Sequence, residues 1–163
     1  MNTITIRTIE PKDNIPLAKV IRKALEDFDA NKPGTVYFDP TTDHLSDVFT
    51  AAGSRYFVVE EDGELTGGSG IYPTKNLPAD TCELVKLYLS AAARGKGLGK
   101  LLMEKCFAAA KELGYKKMYL ETMPQLVIAV PLYEKTGFTY LPEPLGNSGH
   151  DGCHIWMIKD LSD

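Results

Sequence analysis

The chain has 163 residues, 44% of them hydrophobic and 25% charged, with a net charge of −4. That length suits one globular domain over residues 1–163, burying roughly 70% of the surface of the unfolded chain. The negative balance argues against a broad nucleic-acid footprint and no run approaches the ~18 apolar residues of a membrane span, while three scattered cysteines without an apolar leader read as a cytoplasmic protein with reduced thiols.

Ile4, Ile6 and Thr8 alternate with polar neighbours, which predicts a first strand ending near Glu10-Pro11. Asp13 is a candidate N-cap for a helix from Asn14 to Phe28, in which Leu17, Val20, Ile21, Ala24, Leu25 and Phe28 keep helical spacing. Residues 31–40 form a loop by their Pro and Gly content, and Tyr37, Phe38 and Asp39 within it either wall a binding site or pack over the next helix. That helix is expected from Thr41 or Thr42 to Ala52, where Gly53 stops it.

The pattern then changes to strands. Arg55–Glu60 and Leu65–Tyr72 read as partners joined by the hairpin signal Asp62-Gly63. Gly67, Gly68 and Gly70 weaken the second of these and predict close approach of another backbone or a ligand. A long strand follows from Thr81 to Ser90, then a helix from Gly99 to Leu113, a strand from Lys116 to Glu121 and a helix from Pro124 to Thr136. Phe138–Tyr140 and Cys153–Ile158 are the last strands. The order β-α-α-β-β-β-α-β-α-β-β predicts an α+β domain, a mixed sheet covered by helices.

The most informative stretch is Ser90–Lys100, at the junction of the long strand and the third helix. Gly95, Gly97 and Gly99 alternate with Arg94, Lys96, Leu98 and Lys100, so the backbone can approach a ligand closely while cations stand near. The first amides of the helix would face the same ligand, which points to an anion and most naturally to a diphosphate. Two familiar phosphate motifs are excluded. A P-loop needs glycine at 94 and Ser or Thr at 101, where the chain has Arg94 and Leu101; a dinucleotide fingerprint needs Gly or Ala at 100 or 102, where it has Lys100 and Leu102.

Arg94-Gly95-Lys96-Gly97-Leu98-Gly99 resembles the Arg/Gln-x-x-Gly-x-Gly/Ala loop of the GNAT family of N-acetyltransferases. Ala129-Val130-Pro131-Leu132-Tyr133-Glu134-Lys135-Thr136-Gly137-Phe138 is similar to that family's Ala-x-x-Leu/Phe-Tyr-x-x-x-Gly-Phe segment, and the order of elements agrees over nearly the whole chain. The resemblance implies a mostly antiparallel central sheet, acetyl-CoA as co-substrate, a primary amine on a small molecule or peptide as acceptor, and a homodimer. It implies that the diphosphate lies on the N–H groups of Gly95, Lys96, Gly97, Leu98, Gly99 and Lys100, beside Arg94. It further implies that the fourth strand bulges and parts from the fifth, so that Leu87, Tyr88 and Leu89 receive the pantetheine arm. Glu83 would be the general base and Tyr133 the general acid, with the oxyanion on the N–H of Leu89 or its neighbour. If alternation holds, Glu83 faces the acceptor with Val85, Leu87 and Leu89. Leu126 departs from the pattern, because many members carry asparagine seven residues before the tyrosine.

Blander readings stand beside these. Glu83 is alternatively an exposed strand residue paired with Lys86 or Lys116, and Tyr133 a core aromatic with a wet hydroxyl. Glu121 reads as a solvated strand-end carboxylate. His150, Asp151, Cys153 and His154 match no common zinc spacing, so no metal is expected, although His150 is an alternative base. A non-catalytic acyl-CoA-binding or regulatory module is the competing function.

Overall fold

A computed structural model describes residues 3–124, 126, 129–146 and 155–162. Seven strands form one sheet in the order β1-β2-β3-β4-β5-β7-β6, with β1 Ile4–Thr8, β2 Arg55–Glu61, β3 Glu64–Tyr72, β4 Thr81–Leu89, β5 Lys117–Thr122, β6 Thr139–Leu141 and β7 Ile155–Asp160. Only the β4–β5 pair is parallel. It needs a crossover, which is supplied by α3 (Leu98–Glu112). The mostly antiparallel mixed sheet is the architecture expected. His150, Asp151, Cys153 and His154, including the expected start of the last strand, lie outside the described residues.

Both long helices follow their apolar spacing. α1 (Asn14–Asp27) buries Leu17, Ala18, Ile21, Ala24 and Leu25 on one side of the sheet, in a cluster with Val36, Leu45, Tyr56 and Val58. α3 buries Leu102, Met103, Cys106 and Ala110 on the other side, against Val59, Leu84, Met118 and Leu120. Asp62 and Gly63 both take positive φ, 51° and 85°, and close the β2–β3 hairpin as a primed turn. The second helix is shorter than its sequence suggests. Pro40–His44 forms 3₁₀ turns, started by Asp39, whose Oδ1 accepts from the Thr41 N–H at 2.9 Å, and only Leu45–Val48 (α2) is α-helical. The helix expected from Pro124 is described as α4, Ala129–Lys135. Among the described residues, no helix is long and apolar enough to cross a membrane.

Two departures from regular pairing shape the middle of the sheet. β4 pairs with β5 only at Thr81↔Lys117, Cys82↔Met118 and Glu83↔Tyr119, after which the two strands part while β5 continues against β7. β4 also bulges: Gly70 pairs with Val85 and Gly68 with Tyr88, so one residue of β3, Ser69, opposes two of β4, Lys86 and Leu87, and Lys86 takes φ 56°. The wedge that results begins immediately after Glu83.

Candidate active site

Three cavities follow one another along β4. The first is apolar and is lined by Leu87, Tyr88, Leu89, Arg94, Gly99 and Leu126, with Ala129 and Leu132 from α4. It shares Leu87, Tyr88 and Leu126 with a second, which holds Glu83, Glu121, Thr122 and Tyr133. A third, of about 460 Å³, shares Glu83, Val85 and Lys86 with the second and opens between Asp39, Thr41, Phe49, Tyr72 and Thr74. Arg94 and Gly99 thus line one end of this row of cavities, Glu83 and Tyr133 line its middle, and a larger chamber lies at the far end.

At the loop end, Gly95 and Gly97 have φ 78° and 79°, and a Cβ on either would meet no atom within 4 Å, so the backbone faces open space. Gly97 is the N-cap of α3 and no side chain caps the helix, which leaves its first amides to an outside acceptor. The cations behave less simply than their spacing implies. Arg94 lies over the Phe28 ring at 4.6 Å, donates from Nε to the Leu89 carbonyl at 3.1 Å and pairs with Asp27 at 3.2 Å, so its side chain ties β4 to the end of α1. Lys96 pairs with Glu61 at 2.9 Å. Arg94 and Lys96 are thus engaged within the protein, while the backbone at Gly95 and Gly97 faces open space.

Glu83 is 3% exposed, not the solvated strand residue of the bland reading. Its Oε1 accepts from the Thr74 hydroxyl at 2.6 Å. Burial pushes its pKa up to about 7, against the lowering effect of the Thr74 hydrogen bond; Glu121 raises it further and Lys86 lowers it. Glu121 itself lines the central cavity and accepts from the Tyr119 hydroxyl at 2.7 Å. Tyr133 is buried, edge-on to Phe138 at 5.9 Å, and reaches the same cavity from α4. Of the loop aromatics, Tyr37 donates to Glu26 and Phe38 is 59% exposed, while Asp39 alone reaches the far chamber.

The bulge corrects the alternation argument. Val85 lines the cleft with Glu83, but the extra residue reverses the parity beyond it, so Leu87 and Leu89 pack with the α3-side clusters and Tyr88 with the α1-side cluster. Leu87 lies in the bulge and has no partner in either register, whereas Tyr88 and Leu89 are in register with Gly68 and Gly67. Two residues escaped the sequence reading. Tyr56, fully buried on β2, donates its hydroxyl to the Lys86 carbonyl at 2.8 Å. Thr122, at the end of β5 and among the residues lining the central cavity, has a buried hydroxyl oxygen with no hydrogen-bond partner among the described residues. The glycine run was the one available hint of the first, and nothing in the sequence marked the second.

A sequence profile of the Acetyltransferase (GNAT) family matches residues 20–138. The chain belongs to the GNAT acetyltransferase family. A relative from Escherichia coli, the "Uncharacterized N-acetyltransferase YjgM", is 40% identical over 158 residues, which are 96% of this chain and 94% of that one. Among solved structures, an acetyltransferase of the GNAT family from Staphylococcus aureus Mu50 superposes with a TM-score of 0.86 over 98% of this chain and 100% of its own, at 18% identity. The yncA acetyltransferase of Salmonella typhimurium, solved with acetyl-CoA, gives 0.74 over 99% and 95%, at 21% identity. At those identities the structural likeness speaks for the fold, and this GNAT chain is a member of an enzyme family of acyltransferases with its own residues lining the cleft.

Proposed function

We propose that the protein transfers an acetyl group from acetyl-CoA to a primary amine by direct attack of the amine on the thioester. The observation that carries this reading is the row of cavities at the β4–β5 wedge, with the exposed glycine cradle at one end and a buried carboxyl and Tyr133 in its middle. Acetyl-CoA supplies an activated acyl carbon on a good leaving thiolate. The amides from Gly95 to Lys100 suit its diphosphate, and the apolar channel along Leu87, Tyr88 and Leu89 suits its arm.

Glu83 accepts the proton that the ammonium must lose before attack, a task favoured by a pKa near the working pH. Tyr133 donates to the departing sulfur as the C–S bond breaks and the C–N bond forms. The Leu87 N–H, outside both registers, faces the carbonyl oxygen where charge develops, two residues before Leu89, which with its neighbour is the donor implied by the resemblance. The acceptor enters from the chamber beside Asp39 and Glu83, which Lys75 and Lys86 also line. Cytoplasmic residence belongs to the same proposal, supported by the buried, free thiols of Cys82 and Cys106, which burial pushes up to about 12 and so keeps unreactive.

The test begins with melting. At 100 times its Kd, acetyl-CoA adds about 2.7 kcal/mol, which for a chain of this size raises Tm by roughly 5–11 °C; an unchanged Tm with acetyl-CoA and with CoA refutes cofactor binding. Thiol release across a panel of amines then separates an enzyme from a module that binds acyl-CoA without turnover.

A further inference from the structure

We propose that Tyr56 is a positioning residue for acyl transfer: by holding the Lys86 carbonyl, its hydroxyl aims the Leu87 N–H into the wedge between β4 and β5. The inference rests on the acyltransferase reading of that cleft and assigns a task to a residue two strands away from it.

Tyr56 lies on β2 directly across from Gly70 and beside Gly68. Its ring crosses β3 over these two positions, where a Cβ would stand 2.5 Å from Cε1 at Gly68 and 2.6 Å from Cδ2 at Gly70. No side chain fits under it. The two glycines thus open a path along which the hydroxyl reaches β4, and there it meets the carbonyl of the one β4 residue with a left-handed backbone, Lys86, at 2.8 Å. Phe49 fixes the ring from the other side at a centroid distance of 4.9 Å.

The peptide joining Lys86 to Leu87 is trans and planar, so its C=O and N–H point in opposite directions. With the carbonyl held toward Tyr56 and β3, the Leu87 N–H is directed away from them, toward the side on which β5 has diverged. Leu87 lines both the apolar channel and the central cavity, at the junction where an acyl carbon would rest between Glu83 and the arm. Were this peptide to flip, a carbonyl would face the developing oxyanion and repel it. A bulge alone leaves that choice open; the hydroxyl decides it. Packing requires only the ring, and a phenylalanine would supply that.

Infrared spectra of acetyl-CoA labelled with ¹³C at the thioester carbonyl, bound to the protein, provide the test. In the wild type the carbonyl band is expected below its frequency in water. In Tyr56→Phe it returns toward that frequency while the affinity for CoA, which lacks the carbonyl, stays within twofold. Val58→Ala, which trims the same buried cluster on the same strand, keeps the shifted band even where it lowers Tm as much. A Tyr56→Phe band equal to the wild-type band overturns the assignment. A wild type that binds acetyl-CoA without shifting the band overturns it while leaving cofactor binding intact, whereas a wild type that does not bind acetyl-CoA overturns the functional reading itself. Should Tyr56→Phe not fold, proton NMR of the wild type still decides: hydrogen bonds in a chain polarise one another, so the Tyr56 hydroxyl proton moves downfield with acetyl-CoA and not with CoA. The same position with both ligands overturns the proposal.

Discussion

Glu83, opposite Tyr119, is the last β4 residue paired with β5, so it stands where the wedge opens. Its burial and its hydrogen bond to Thr74 pull its pKa in opposite directions, with burial the larger effect and about 7 the outcome. If Glu83 is the base, kcat/KM rises with pH through a midpoint near 7. Glu83→Gln removes that limb and lowers kcat by about 10²–10⁴. Thr74→Val withdraws the one hydrogen bond that favours the carboxylate and moves the midpoint upward; a pH–rate profile on the three proteins checks both statements. Thr122 offers a test of another kind. A buried hydroxyl without a partner costs about 1–3 kcal/mol, which a ligand can recover by supplying one. Thr122→Val, of the same shape, should therefore leave Tm of the free protein unchanged or raised, yet shrink the rise produced by acetyl-CoA or by a saturating acceptor amine.

At the level of elements, β4 shows how far pattern reading reaches. Its extent, its partner helix and its glycine loop follow from alternation and from the change of period at Leu98, and the observed bounds, Thr81–Leu89 and Leu98–Glu112, lie within a residue of those expected. The bulge does not follow, because Lys86 is no more turn-like than its neighbours, and one inserted residue reverses every side chain beyond it. The glycines of β3 were the visible trace, since their reason is the tyrosine ring lying across them. Gly68→Ala is expected to destabilise the fold by about 3 kcal/mol or more, because the new Cβ meets both the Tyr56 ring and the Phe57 carbonyl at 2.7 Å; Gly63→Ala, at an open turn, strains only the local backbone. Denaturant midpoints of the two variants compare the effects. The second helix is the opposite case, where apolar spacing promised regular α-helix and the chain forms 3₁₀ turns over Pro40–His44 before a short α2.

For the whole molecule, two buried carboxyls set opposing limits on stability. The folded pKa of Glu83 is raised, so its contribution is full below the ordinary value of 4.5 and is lost as pH climbs through about 7. Asp13 is also pushed up by burial, but hydrogen bonds from Arg7 and from the Glu10 N–H, with the Arg7 charge, outweigh this and hold it below its ordinary 3.8. Its contribution is therefore present above 3.8 and is lost as pH falls through the lowered value. Tm should decline on both sides of the interval near pH 4–5, and Glu83→Gln should flatten the neutral side alone, as melting from pH 3 to 8 will reveal.

Sequence alone was enough for the family, the sheet with its helices on both sides, and the glycine loop at the junction of β4 and α3, because periodicity, glycine placement and caps are local and need only neighbours in the chain. The tertiary structure decided which way β4 faces beyond Lys86, that Arg94 pairs with Asp27, that Glu83 is buried, that Tyr56 reaches the Lys86 carbonyl and that Thr122 lines the central cavity. Each of these turns on burial or on a partner distant in the chain, such as the thirty residues between Tyr56 and Lys86. The electrostatics and aim of a site depend on what folding brings beside it.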